Sequence, residues 1–265
     1  MNTSELKAKA EALLTLHDRR AVLVLPNAWD AASAKVFAES GFAAIATTSG
    51  GICRILGLPD SEIIGRDQML SMVRTIVRAV EAPVTADLLA GFGATPAEVG
   101  DTARAALEAG VVGMNIEDSP GRDAPLREVE QQCERIAAAR EAAERAGVPM
   151  VINARVDAWV RQVASGQERV ELAIARGRAY LRAGASCIYP ILASDSAEIA
   201  ALTRAIDGPL NVMMRPGVPA IAELEKIGVA RVSFGSGMMT AALAFTKRMA
   251  QQIRTSGSCD LLNAK

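Results

Sequence analysis

"APVTADLLAGFGATPAEVGDTARAALEAGVVGMNIEDS" (residues 82–119) contains one full period of the chain's organisation. An apolar run (82–89) ends at a carboxylate, Asp87, and passes into a Gly-Phe-Gly turn. Next comes a segment with apolar residues three and four positions apart, opened by Pro96 and closed by Gly110. A second apolar run (111–119) then begins, and it too ends in acids. Near-continuous apolar runs are expected of strands covered on both faces. The segment between them has the period and the end signals of an amphipathic helix.

The same alternation fills the chain. The other runs are "AVLVLPNA" (21–28), "AAIATTSG" (43–50), "PMVINARVD" (149–157), "CIYPIL" (187–192), "LNVMM" (210–214) and "RVSFGS" (231–236). "ESGF", "EAGV", "RAGV", "RAGA" and "KIGV" each mark a helix end followed by a strand. Eight strand-then-helix units in 265 residues predict an α/β fold of the (β/α)8 TIM-barrel type. An open doubly wound sheet would offer a GxGxxG turn after its first strand, and "PNAWDAAS" has none. With no Pro/Gly/Ser-rich linker, residues 1–265 read as one domain, with a helix in 1–20 and a polar tail at 254–265.

Composition narrows the function. Hydrophobic residues make up 50% and aromatics only 3%, so aliphatic side chains must fill the core. The formal charge is −1, with 29 basic and 30 acidic residues and no basic block, which argues against nucleic acid or an anionic membrane as partner. No run approaches a membrane span, and the first twenty residues lack the apolar stretch of a secretory signal. Cys53, Cys133, Cys187 and Cys259 are far apart and form no metal or redox motif, so reduced thiols in a cytoplasmic protein are expected. His17 is the only histidine; it rules out a His-pair zinc site and is expected on the surface of the first helix.

Barrel enzymes gather their active site at the C-terminal strand ends. Here those ends carry Thr47, Thr48, Ser49, Gly50 and Gly51 after the second run, and Asp87 after the third. Glu117 and Asp118 follow the fourth run, and Arg155 and Asp157 the fifth. Single carboxylates with room for water suit Mg2+ or Mn2+ better than zinc. Exposed N–H groups at Ser49-Gly50-Gly51, together with Arg155, suit a substrate carboxylate. A metal and a carboxylate clamp are what a 2-oxo acid requires, since both stabilise an enolate. Structural roles compete: Asp118 leads into a loop and reads as a cap or ion-pair partner, and Arg155 and Asp157 could pair within the barrel. A phosphate site at "FGSG" (234–237) is a further alternative.

In order along the chain, "TTSGG", "ILGLPD", "VTADLLAGFG", "MNIEDS" and "INARVDA" resemble the isocitrate lyase and phosphoenolpyruvate mutase superfamily. The likeness continues through "RAYLRAGASCIYP" and "LNVMMRPG". It implies a barrel assembled as a dimer of dimers, with the eighth helix ("MMTAALAFTKRMAQQI", 238–253) swapped between subunits. It also implies Mg2+ or Mn2+ and enolate chemistry on a 2-oxo acid. Asp87 then matches the direct metal ligand, and Glu117 and Asp60 match the acids of the metal's water shell. Ser49, Gly50, Gly51 and Arg155 match the substrate grip, so that Asp60, Glu117 and Arg155 carry the catalysis.

Three departures shape this expectation. Leu89 stands where the family places a second acid, and Thr47 stands where several members have an aromatic residue. The loop "SPGRDAPLREVE" lacks both the catalytic-cysteine sequence of the isocitrate lyases and the lysine- and asparagine-bearing loop of the phosphonate mutases. Cys133, inside a predicted helix, is no substitute. The expected activity is therefore a metal-dependent lyase or decarboxylase of a small 2-oxo mono- or dicarboxylic acid. A 2-oxo-acid binder with weakened catalysis and a C–P bond phosphonomutase or hydrolase are the alternatives. Replacing Leu89→Glu should tighten Mg2+ binding by roughly ten- to a hundred-fold, the range for an outer-shell ligand. Calorimetric titration reads the change; unaltered affinity and turnover would mean that this stretch is misaligned with the family.

Overall fold

The first apolar run forms two short strands, β1 (Leu23–Leu25) and β2 (Asn27–Ala28), on either side of Pro26. Proline has no N–H for a ladder, so the strand breaks there, while the Pro26 carbonyl still accepts from the Ala46 amide at 2.9 Å. The structure is a computed structural model that describes residues 2–17, 21–121 and 124–263. Parts of the expected N-terminal helix, of the loop at 119–130 and of the tail fall outside those residues. The remaining strands are β3 (Ile45–Thr47), β4 (Val84–Asp87), β5 (Gly113–Glu117), β6 (Val151–Val156), β7 (Cys187–Pro190), β8 (Asn211–Met213) and β9 (Arg231–Ser233).

Strands β2 to β7 pair in chain order, and β9 pairs with both β8 and β1, all in parallel. A bridge between Ile188 and Leu210 joins β7 to β8. Because β1 and β2 are one strand interrupted at Pro26, the sheet closes into the expected (β/α)8 barrel.

Helices α2 (Ala31–Glu39), α5 (Pro96–Glu108), α6 (Val129–Arg145), α7 (Gly166–Arg182), α8 (Ser196–Ala205) and α9 (Ile221–Ile227) follow successive strands. Two helices, α3 (Ser49–Ile55) and α4 (Arg66–Val77), lie between β3 and β4. In α5, Thr95 caps the first turn reciprocally with Glu98, Pro96 opens the helix, and Val99, Ala103, Ala106 and Leu107 face the core. A capping interaction of this kind stabilises a helix by about 1 kcal/mol.

Residues two apart on a strand share a face, and the inner face of this barrel is polar. Asp87 on β4, Asn115 and Glu117 on β5, and Asn153 and Arg155 on β6 stand side by side in register. Asn153 donates to Asn115 Oδ1 at 2.8 Å, and Asn115 reaches Asp87 Oδ1 at 3.4 Å. The intervening Met114, Ile116, Ile152 and Ala154 are fully buried. An all-apolar reading of these runs captures their outer faces only.

Helix α1 (Thr3–Thr15) covers the other mouth of the barrel, burying Leu6, Ala10 and Leu13. A Cβ on Gly113 would lie 3.0 Å from Leu13 Cδ2 and 2.8 Å from Thr85 Oγ1, so α1 packs closely here because residue 113 is glycine. This contact corrects the expectation for His17, which is only 3% exposed. Its Nδ1–H donates to the Leu13 carbonyl at 2.7 Å, extending the helix's buried side by one turn. The other exposed face belongs to α10 (Gly237–Ser256), of whose residues only Met239 is buried. Among the described residues no helix is long and apolar enough to cross a membrane.

Burial, with the Arg231 guanidinium nearby, lowers the His17 pKa to about 4. The unfolded chain would titrate this histidine near 6.5. Between those values the unfolded state binds the extra proton, so the contribution of His17 is complete above pH 6.5 and is lost as pH falls toward 4. The magnitude is on the order of 3 kcal/mol. Denaturant unfolding of the wild type and His17→Gln should show a stability difference that shrinks from pH 7 to pH 4.

Candidate active site

The ends of β5 and β6 and the segments that follow β3, β4 and β7 meet at one cavity of about 570 Å3, whose lining includes Asp60, Leu89, Glu117 and Arg155. A larger cleft, about 870 Å3, lies at the opposite mouth between α1 and the barrel, with Lys9, Arg74, Arg104 and Glu108 on its walls. It contains none of the strand-end residues. The smaller cavity is the candidate site because the convergent carboxylates and the buried arginine open into it.

Asp87 is held in place from several directions. Its Oδ2 accepts from the Ser49 amide at 3.1 Å and the Ser49 hydroxyl at 2.9 Å, and its own amide donates to Thr47 Oγ1 at 3.0 Å. Thr47 thus acts as a support for Asp87. Among the described residues Oδ1 has only the long 3.4 Å contact from Asn115, leaving it the less committed oxygen.

The Ser49-Gly50-Gly51 segment, expected to offer exposed N–H groups, is the first turn of α3 with Thr48 as its cap. Two of its three N–H groups are already engaged: Ser49 donates to Asp87, and Gly51 donates to Thr48 Oγ1 at 3.2 Å. Gly50 supplies the remaining first-turn N–H, of the kind that a helix leaves without an intrahelical acceptor. A Cβ at Gly50 would lie 2.8 Å from Asp60 Oδ2 and 2.7 Å from Ser236 Oγ. The absence of a side chain therefore lets Asp60 and the "FGSG" turn close against α3, which absorbs Ser236 into the neighbourhood of this site.

Arg155 lies between two acids, with Nη1 2.5 Å from Glu117 Oε1 and Nε 2.5 Å from Asp157 Oδ1. Burial disfavours the charged guanidinium, but Glu117 and Asp157 more than offset this and raise its pKa. Glu117 is pushed the other way. Burial raises its pKa, Arg155 opposes that, and Asp157, Asp87 and Asp60 add to the rise. The Arg155 guanidinium 2.5 Å from Oε1 favours the ionised carboxylate, and Asp60, Asp87, Glu117 and Asp157 together outnumber that one cation.

Asp118 plays the structural part expected of it. Fully buried, it accepts from the Asp157 amide at 2.8 Å, from Tyr180 Oη at 2.9 Å and from Arg176 at 3.2 Å. Burial and Asp157 raise its pKa to about 6. Cys133 lies in α6, and among the described residues all four cysteines are free thiols.

Several contributors were not singled out in the sequence. Asn115 and Asn153 each lie two positions before a strand-end charge, a spacing that places them on the same inner face. Arg135, 1% exposed, braces the Gly-Phe-Gly turn by donating to the carbonyls of Gly93 (2.6 Å), Ala94 (3.0 Å) and Ala90. Arg161 also lines the cavity. Its amide donates to the Asp157 carbonyl at 2.9 Å, a one-turn spacing that could have flagged it.

The phosphoenolpyruvate phosphomutase family profile matches residues 13–254. The chain belongs to this family, within the isocitrate lyase and phosphoenolpyruvate mutase superfamily. A solved Burkholderia cenocepacia J2315 structure, provisionally assigned as a lyase/mutase, is 40% identical with a TM-score of 0.92, covering 99% of this chain and 93% of that one. The 2,3-dimethylmalate lyase of Eubacterium barkeri is 32% identical, covering 86% of this chain and 78% of the relative. A phosphonopyruvate hydrolase solved with oxalate and Mg2+ is 27% identical with a TM-score of 0.83, covering 94% of this chain and 88% of that one. The superfamily comprises lyases, mutases and hydrolases of small carboxylic acids, and the barrel here is theirs.

Proposed function

We propose that this chain is a Mg2+- or Mn2+-dependent lyase that breaks a carbon–carbon bond in a small 2-oxo carboxylic acid, decarboxylation being the simplest case. The observation that carries the reading is that Asp60, Glu117 and Arg155 line a single cavity, with Asp87 near enough to act on Glu117. The donor set suits a hard divalent cation: it is all oxygen, and its negative charge exceeds what Arg155 offsets. Among the described residues no three acids, histidines or cysteines lie close enough to hold a metal by themselves. In this reading Asp87 would be the one direct ligand, with Glu117 and Asp60 acting through water. The bound cation would supply the positive charge that lets a 2-oxo group accept the electron pair of a breaking bond.

The protein's own residues do the rest. Ser49 and Thr47 fix Asp87, and the Gly50 N–H faces a substrate carboxylate together with Arg155. Because Arg155 already serves Glu117 and Asp157, it orients the substrate from a fixed position. Leu89 and Leu192 line the same cavity and give the departing group an apolar wall that keeps water away from the carbanion.

Purified protein with Mg2+ and oxaloacetate should release pyruvate well above the metal-only background. Asp87→Ala should lower the rate by about a hundred-fold or more. Leu89 also favours a second reading, a 2-oxo-acid binder without turnover. Thermal stabilisation by oxaloacetate with no pyruvate release would replace the first reading with that one.

The exposed α10 supports a second proposal, that it packs on another copy of the chain as an exchanged helix in a dimer of dimers. Leu243, Phe245 and Ile253 on this helix are 43%, 36% and 43% exposed, an apolar surface that association would cover. Light scattering coupled to size exclusion should then give about four times the 27.8 kDa chain mass. A monomer would overturn it.

A further inference from the structure

Two guanidiniums, those of Arg155 and Arg161, line the cavity among its described residues. Their electrostatic situations differ. Arg155 is neutralised on both sides by Glu117 and Asp157. Arg161 has neutral acceptors only: its Nη2 donates to Ser119 Oγ at 3.1 Å and to the Gly121 carbonyl. No carboxylate forms an ion pair with it among the described residues, and its buried Nε has no partner there either. Among the described residues, Arg161 is therefore the cavity cation with no acidic partner.

Ser119 ties the two arginines together. Its hydroxyl donates to Asp157 Oδ2, the oxygen that also accepts from Arg155 Nη2 at 3.2 Å, and it accepts from Arg161. Arg161 thus sits a fixed three hydrogen bonds from Arg155. Apart from the hydroxyls of Ser61 and Ser119, the side chains of the remaining lining repel or ignore an anion. Asp60, Glu62 and Glu117 are acids, and Ile63, Leu89 and Leu192 are apolar. Glu62 is already committed to the Phe92 amide at 2.6 Å.

We infer that the substrate is a dicarboxylate whose second carboxylate, remote from the 2-oxo group, is held by Arg161. This rests on the 2-oxo-acid reading of the same cavity and adds to it the residue that selects for two acid groups. With Nε buried and Nη2 committed to Ser119 and Gly121, Nη1 is the group that would meet that carboxylate, in a charge-assisted contact.

Oxaloacetate and 2-oxobutyrate form the matched test, since the second carries a methyl where the first carries its distal carboxylate. With Mg2+ present, binding of each acid is measured by competition calorimetry on the wild type, Arg161→Met and Arg161→Lys, after circular dichroism has confirmed that each variant is folded. The wild type should prefer oxaloacetate by roughly ten- to a hundred-fold, the value of a charged hydrogen-bonded contact. Arg161→Met should abolish that preference while leaving 2-oxobutyrate affinity in place, and Arg161→Lys should restore part of it. An unchanged preference in Arg161→Met, or an equal loss for both acids, overturns the role of Arg161 and leaves the 2-oxo-acid site standing. If neither acid binds the wild type, the site reading falls and the inference with it.

Discussion

The site is organised around the guanidinium of Arg155, fixed between Glu117 and Asp157. Parallel register brings Glu117 and Arg155 to the same level on β5 and β6. The side chain of Asp157 then closes back on the arginine from the end of the same strand. Removing one partner from a buried pair is costly, by about 3–5 kcal/mol, because the other charge is stranded. Further contacts depend on that pairing. Asp118 holds the Asp157 amide, Tyr180 and Arg176 hold Asp118, and Ser119 carries the connection outward to Arg161. A shift in Arg155 would disturb the loops after both strands, so the arrangement must exist before any ligand arrives.

Such a centre is preorganised and strongly anionic at once. Asp60, Asp87, Glu117 and Asp157 are near enough to affect one another, and one arginine cannot balance them. A divalent cation would settle the imbalance, where a second arginine in the same place would occupy the substrate's own volume. The carboxylate excess and the cavity are therefore two aspects of one design, in which the protein leaves room for charge that it does not itself supply.

The barrel was legible because the strand runs are nearly continuous in apolar residues and several helices, such as α5, α6, α7 and α9, end in a glycine-marked turn. The strand-end acids were legible for the same reason, since a charge that terminates an apolar run stands out. Inner-face residues were harder to see: Asn115 and Asn153 lie inside runs whose outward neighbours, Met114, Ile116, Ile152 and Ala154, dominate the pattern. His17 was misjudged because local period gives a helix's faces but not what lies beneath them, and the barrel mouth lies beneath α1. The exposed N–H groups expected at Ser49-Gly50-Gly51 became a helix start because Thr48 caps it, and two glycines disguised the helix. Arg161 was hidden by distance, since its partners, Ser119 and Gly121, come from the preceding strand's loop.

Leu89 shows why reading a site one residue at a time falls short. It has a positive φ of 54°, as Leu192 has at 69°, and both line the cavity. A left-handed conformation disfavours an L side chain by about 1–2 kcal/mol, and glycine would relieve it. Each leucine is nonetheless pinned through its carbonyl, Leu89 by the Glu117 amide at 2.9 Å and Leu192 by Arg215 at 2.9 Å. Strain that persists under such restraint belongs with sites where a side chain must be presented. The two leucines come from opposite parts of the barrel, the ends of β4 and β7, yet they face the same space. An acid at position 89 would have added to the carboxylate excess; a leucine there, matched by Leu192, makes that part of the wall apolar. Glu117 and Arg155 share one part of the wall, Arg161 lies beyond Ser119, and Leu89 and Leu192 supply an apolar part. A ligand with two acid ends and a carbon frame between them is the shape that such a division can orient in only one way.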